Sequence, residues 1–239
     1  MQIELKVPNS LDDITLEQYQ EFIKVKEQTN DHEFLAQKMI SIFCDITMKE
    51  VLNIKYNSLV EVSNHFVKLF ETKPEFKTRF EFNGIDFGFI PKLDDISLGE
   101  YIDLEKHLSN WNEYHKALAI LYRPVTNKIG SKYDIRPYSI DEDTQELMKQ
   151  LPVSIAISST LFFYHLGNEL LTLTLESLNK MREDKKLALH LEQSLRLNGV
   201  GINQYMQSLK ETLQSLRKLQ DLEFMSALLI SPLKPKRTK

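Results

Sequence analysis

Six histidines (His32, His65, His107, His115, His165 and His190) and one cysteine, Cys44, are the side chains best suited to hold a metal or attack a substrate. Their spacing supports neither role. No His-Glu-x-x-His or Glu-x-x-His run puts two ligands on one helix face, so zinc-protease and di-iron chemistry lack their donor sets. His107 and His115 fall on adjacent expected helices with no neighbouring carboxylate to complete a shell, and surface or capped histidines account for all six. Cys44 has no second cysteine to pair with, and it stands in the apolar pattern Met39, Ile40, Phe43 of a buried, inert thiol. Seven scattered glycines build no phosphate-binding loop. The pairs Asp12-Asp13 and Asp94-Asp95 could hold a cation or share a proton. Each stands just before an expected helix start, where orphan amides and the helix dipole favour negative charge, and capping is the simpler account. The expectation is a protein that is not an enzyme and carries no cofactor or metal.

Binding chemistry is better represented. The connection 123–141, RPVTNKIGSKYDIRPYSID, reads as a long loop, and loops of that length inside a compact domain are usually functional. It interleaves Arg123, Lys128, Lys132 and Arg136 with Tyr133 and Tyr138. Basic and aromatic side chains suit phosphate and base contacts, and Arg and Tyr equally anchor protein interfaces. A net charge of −4 favours protein contact over nucleic acid. A second candidate is the helix expected at 202–229, where Met206, Leu209, Leu213 and Leu216 form a narrow coiled-coil-like seam opposite a charged face. Lys234, Lys236 and Arg237 lie in a basic tail, PLKPKRTK, that could touch nucleic acid.

The elements that must position these residues are mostly helices. A phrase occurs twice, LDDITLEQYQEF at 11–22 and LDDISLGEYIDL at 93–104, each time ahead of two helix-like segments. That repetition points to one strand–helix–helix unit used twice. The second helices align as Met39/Leu118, Ile42/Leu121, Phe43/Tyr122 and Thr47/Thr126. Capping-box spacing recurs at Thr15–Gln18, Thr47–Glu50, Ser58–Glu61, Ser97–Glu100 and Ser139–Glu142. Helices are expected near 16–29, 32–45, 48–53, 59–71, 98–109, 111–122, 142–150, 153–183, 185–197 and 202–229. Asn83-Gly84 between the alternating runs of 77–90 is a hairpin signal, and QIELKV at 2–7 is expected to add a third strand. The fold class is thus mainly α, a helical bundle with a small hairpin or three-strand sheet. The organisation reads as 1–75, 76–141, 142–230 and a tail at 231–239.

With 42% hydrophobic and 27% charged residues the chain is too apolar for disorder. LPVSIAISSTLFFYHLGN, 151–168, is the longest uncharged stretch, but its serines, His165 and Asn168 make a buried core helix the better reading than a membrane span. No signal-peptide pattern opens the chain. A soluble protein of a reducing cytosol is expected.

At DISLGEYIDLEKHLSNWNEYHKALAILYRPVT (95–126) and MKQLPVSIAISSTLFFYHLGNELL (148–171) the chain resembles small α-rich proteins of tailed bacteriophages encoded among virion, neck and tail morphogenesis genes. The resemblance covers about the central third of the chain and carries no active-site residues. It implies a non-enzymatic structural part of the particle, in a portal-proximal ring, connector or tail. A soluble assembly chaperone and a nucleic-acid-binding factor are the alternatives. The implied partners are other virion or assembly proteins and further copies of the chain in a homo-oligomer, with nucleic acid less favoured and no membrane. The implied location is the host cytoplasm during assembly and, for a structural part, the virion.

Overall fold

The computed structural model describes residues 5–183 together with Gln207, Lys210 and Glu211. Eight α-helices and a four-stranded antiparallel sheet are present among these residues: α1 Leu16–Gln28, α2 His32–Phe43, α3 Met48–Val51, α4 Tyr56–Phe70, β1 Arg79–Phe82, β2 Ile85–Phe89, α5 Leu98–Leu108, α6 Tyr114–Leu121, β3 Tyr122–Ile129, β4 Lys132–Ile135, α7 Glu142–Lys149 and α8 Val153–Glu183. The protein is mainly α with a small sheet, as its capping and periodicity predict. The described residues divide within α8 into two compact units, one ending at Ser159 and the other beginning at Thr160.

Local chemistry sets most helix starts. Thr15, Thr47 and Ser97 each close a capping box, with Gln18, Glu50 and Glu100 reaching back to the cap amide. Two expected boxes are not used. Helix α4 starts earlier than Ser58, behind Lys55, which makes no side-chain cap bond. Helix α7 is capped by the carboxylate of Asp141 in place of Ser139. Both repeated phrases fold as a short 3-10 turn, Leu11–Asp13 and Leu93–Asp95, leading into α1 and α5. In the first Asp pair only Asp13 acts as a cap, accepting from the amides of Asn9 and Ser10 at 3.1 and 2.9 Å, while Asp12 accepts from the Ser154 hydroxyl and meets Lys77 at 3.7 Å. The second pair differs, since Asp95 instead meets Lys92 at 3.3 Å. The two copies also part company at their ends, where Thr47 caps α3 but Thr126 lies inside β3.

Aromatic packing joins the helices of the first unit. Phe43 touches Phe22, Phe66 and Phe70, each at 5.4 Å between ring centroids, and Tyr19 edges onto Trp111 at 5.1 Å. Cys44 is buried, and burial pushes its thiol up to about 11, which keeps it protonated and unreactive. His107 and His115 are also buried rather than at the surface. His107 meets Glu113 and His115 meets Gln20, both at 3.1 Å. The start of α8 is buried on every side from Val153 to Ser159, with the Ser158 and Ser159 hydroxyls donating to the carbonyls of Ile155 and Ala156. Backbone bonds from Leu16 to Leu151 and from Val153 to Ile14, both 2.8 Å, clamp this turn to the start of α1. No described helix is long and apolar enough to cross a membrane.

The sheet runs in the order β1-β2-β3-β4. Asn83 and Gly84 both take positive φ, 49° and 73°, which matches the two-residue turn the sequence predicts. Of the N-terminal strand expected at 2–7, residues 2–4 lie outside the described residues and 5–7 are not in a strand; the third strand of the described sheet comes from elsewhere. It is β3, from the stretch expected to be a loop. Residues 122–135 form a second hairpin that turns at Gly130, whose φ of 61° suits the first central position of a type II′ turn. The alternating pattern YRPVTNKI is interrupted by Pro124, and a ladder irregularity between Val125 and Asn127 breaks the register again. Those two interruptions hide the strand from a reading by periodicity.

Candidate functional site

The β3–β4 hairpin and the residues just after it carry the basic and aromatic residues singled out above, and the structure divides them into three groups. The first group is locked inside. Arg123, at the base of β3, pairs with Glu100 of α5 at 2.6 Å, and both side chains are about nine-tenths buried (11% and 8% exposed). Glu100 serves two structures at once, because its other carboxylate oxygen accepts from the Ser97 amide at 2.6 Å in the capping box of α5. Burial alone would push the Glu100 carboxyl up, but the Ser97 amide and hydroxyl and the Arg123 guanidinium together hold it below the usual carboxylate range. The pair bolts the base of the hairpin to the start of α5.

The second group holds the hairpin flat on its neighbours. The Tyr133 ring lies over Gly88 of β2, so close that a Cβ there would sit 2.5 Å from the ring. Its hydroxyl donates to the carbonyls of Phe89 and Thr78 at 2.8 and 3.2 Å, and Arg79 stacks 5.5 Å from the ring centroid. Tyr138 donates to the carboxylate of Asp103 on α5; burial, with that acceptor, pushes its hydroxyl up to about 12. Neither tyrosine is displayed as a platform for stacked bases.

The third group faces solvent. Lys128, Ile129 and Lys132 at the hairpin tip and Arg136 just beyond β4 are exposed. Ile129 and Lys132 stand directly opposite one another across the ladder. A shallow cleft lies between α6, Arg136 and α7, lined by Ile120, Pro124, Arg136, Tyr138, Ile140 and Thr144 among others. Its volume of about 20 Å³ is room for a water molecule or two. Among the described residues no three His, Cys, Asp or Glu side chains converge as a metal site.

The remaining sequence candidates, Met206, Leu209, Leu213, Leu216, Lys234, Lys236 and Arg237, lie outside the described residues. The described positions between them, Gln207, Lys210 and Glu211, are helical and exposed, with Gln207 donating to Glu211 at 2.9 Å.

A surface that sequence reasoning did not mark is the outer face of α5. Leu98, Tyr101 and Ile102 occupy one stripe of that helix, at i, i+3 and i+4, and are 75%, 52% and 54% exposed. The corresponding positions of α1, counted along the repeated phrase, are Leu16, Tyr19 and Gln20, exposed by only 0%, 2% and 4%. The signal was present in the repeat itself, but the sequence does not say which copy has its face covered. No protein-family model, curated protein or solved structure matches this chain.

Proposed function

We propose that this chain is a non-enzymatic structural protein of a tailed-phage particle, a portal-proximal ring, connector or tail component that works through protein–protein contacts. The observation that carries the reading is the division of the hairpin residues. Arg123, Tyr133 and Tyr138 are engaged within the fold, while the hairpin tip leaves Lys128, Ile129 and Lys132 exposed to a partner. An exposed apolar residue between two cations, on a hairpin whose base is held by a buried ion pair, is suited to contact a protein partner. The phage assignment itself rests on the resemblance of 95–126 and 148–171.

Quantitative mass spectrometry of purified virions tests the reading. Peptides of this chain at fixed stoichiometry to the portal or tail proteins support a structural part. Abundance in infected cells with depletion from finished particles supports an assembly chaperone instead. A nucleic-acid factor would show a mobility shift at physiological salt that weakens steeply as salt rises.

A further inference from the structure

Three apolar side chains on one helical stripe are not the scattered surface residues of an ordinary monomer. Helix α5 buries Glu100, Leu104 and His107 on its inner side and turns Leu98, Tyr101 and Ile102 the other way. In the sister helix α1, the matching face is where packing happens. Tyr19 meets Phe70 and Trp111, and Gln20 donates to the carbonyl of Trp111 at 2.8 Å. The repeat thus uses this face for burial once and leaves it open once.

We propose that the open face of α5 receives the β3–β4 hairpin tip of a second copy of this chain. Charge complementarity selects that occupant. Exposed Asp94 and Glu105 flank the α5 stripe, with Asp103 beside it, against one neighbouring cation, Lys106; the Lys92–Asp95 pair is internally balanced. The tip presents Ile129, 75% exposed, between Lys128 and Lys132. An apolar knob with two cations fits an apolar stripe with an acidic border.

The same chain's tip does not serve. Arg123 fixes the base of β3 to the inner side of α5, and Ile129 lies six residues further along, ~20 Å at strand rise. Knob and stripe are different surfaces: made once per pair, the contact is heterologous and propagates as a ring or a filament, and made reciprocally it closes a two-fold dimer. The inference rests on the protein-contact reading above and names the surfaces that make the contact.

Disulfide trapping on the full chain tests it. Ile129→Cys and Ile102→Cys are made as separate proteins, one carrying a mass tag, and mixed under mild oxidation. Both sites are exposed, and the native Cys44 is buried, so the new thiols react without competition. The expected result is a mixed disulfide between the two variants that exceeds either self-pair about tenfold. Light scattering of the uncross-linked chain should show association, with Ile129→Asp or Leu98→Asp raising the apparent Kd about tenfold or more. Lys128→Glu with Lys132→Glu should weaken association, and adding Asp94→Lys and Glu105→Lys should restore it. Circular dichroism melts matching the parent show that each variant folds. A strict monomer at all concentrations overturns the proposal, as does an oligomer indifferent to all these substitutions. A monomer that is nonetheless stoichiometric in virions refutes this contact and leaves the structural role standing. Association through these surfaces in a protein absent from virions does the reverse.

Discussion

Arg123 is the sharpest place to separate a binding residue from a structural one. Its guanidinium lies 2.6 Å from Glu100, with both side chains about nine-tenths buried. Replacing Arg123 with Met leaves the Glu100 carboxylate buried with its cap bonds but without its countercharge. Breaking a buried pair from one side costs about 3–5 kcal/mol. A chain of this size loses ~2–4 °C of Tm per kcal/mol, so the variant should melt on the order of 6–20 °C lower. Glu100→Gln should also destabilise, because it strands the cation and weakens the Ser97 cap. The double variant Arg123→Met, Glu100→Gln removes both charges and should recover to within about 2 kcal/mol of the parent, since uncharged replacements for buried pairs are often near neutral. Thermal and urea unfolding followed by circular dichroism give the four corners of the cycle. Arg123→Lys should fall between, because a lysine lacks the planar fork that fills the site. The opposite outcome is Arg123→Met melting with the parent while self-association or partner binding is lost. That outcome would place Arg123 at an interface.

Acid should unfold the protein partly through His115, which is buried and whose imidazole is pushed from 6.5 to about 4, chiefly by burial. The unfolded chain then binds a proton that the fold refuses, so stability is lost as pH falls from 6.5 towards 4. The loss approaches ~3 kcal/mol, and Tm measured across that range should fall less steeply in His115→Gln. At Gly88, Ala would drive a methyl into the Tyr133 ring; about 1–3 kcal/mol of destabilisation is expected, read by urea unfolding. Tyr133→Phe, which keeps the ring and loses its two carbonyl partners, should cost about 1 kcal/mol. Thr15→Ala should cost ~1 kcal/mol by removing a cap in use, whereas Ser58→Ala should change little. Lys55→Asp should stabilise α4 by up to about 1 kcal/mol by supplying the missing cap. A Ser58→Ala loss matching that of Thr15→Ala would contradict the observed start of α4.

The order of amino acids settles what neighbours along the chain can settle. Thr15–Gln18 and Ser97–Glu100 write their capped helix starts within four residues, and Asn83-Gly84 writes its hairpin within two, because hydroxyl capping and positive φ are local chemistry. Burial of Cys44 follows from the spacing of Met39, Ile40 and Phe43 on one helix. Distant partners decide the rest. The segment 123–141 looks like a free basic loop until β2 offers an open edge to β3 and Glu100 draws Arg123 inward. The two near-identical phrases start nearly identical helices, yet Trp111 covers the face of α1 while the matching face of α5 meets water. Charge, capping and period are properties of a segment, but burial is a property of what else comes to lie against it, and only the tertiary structure brings that together.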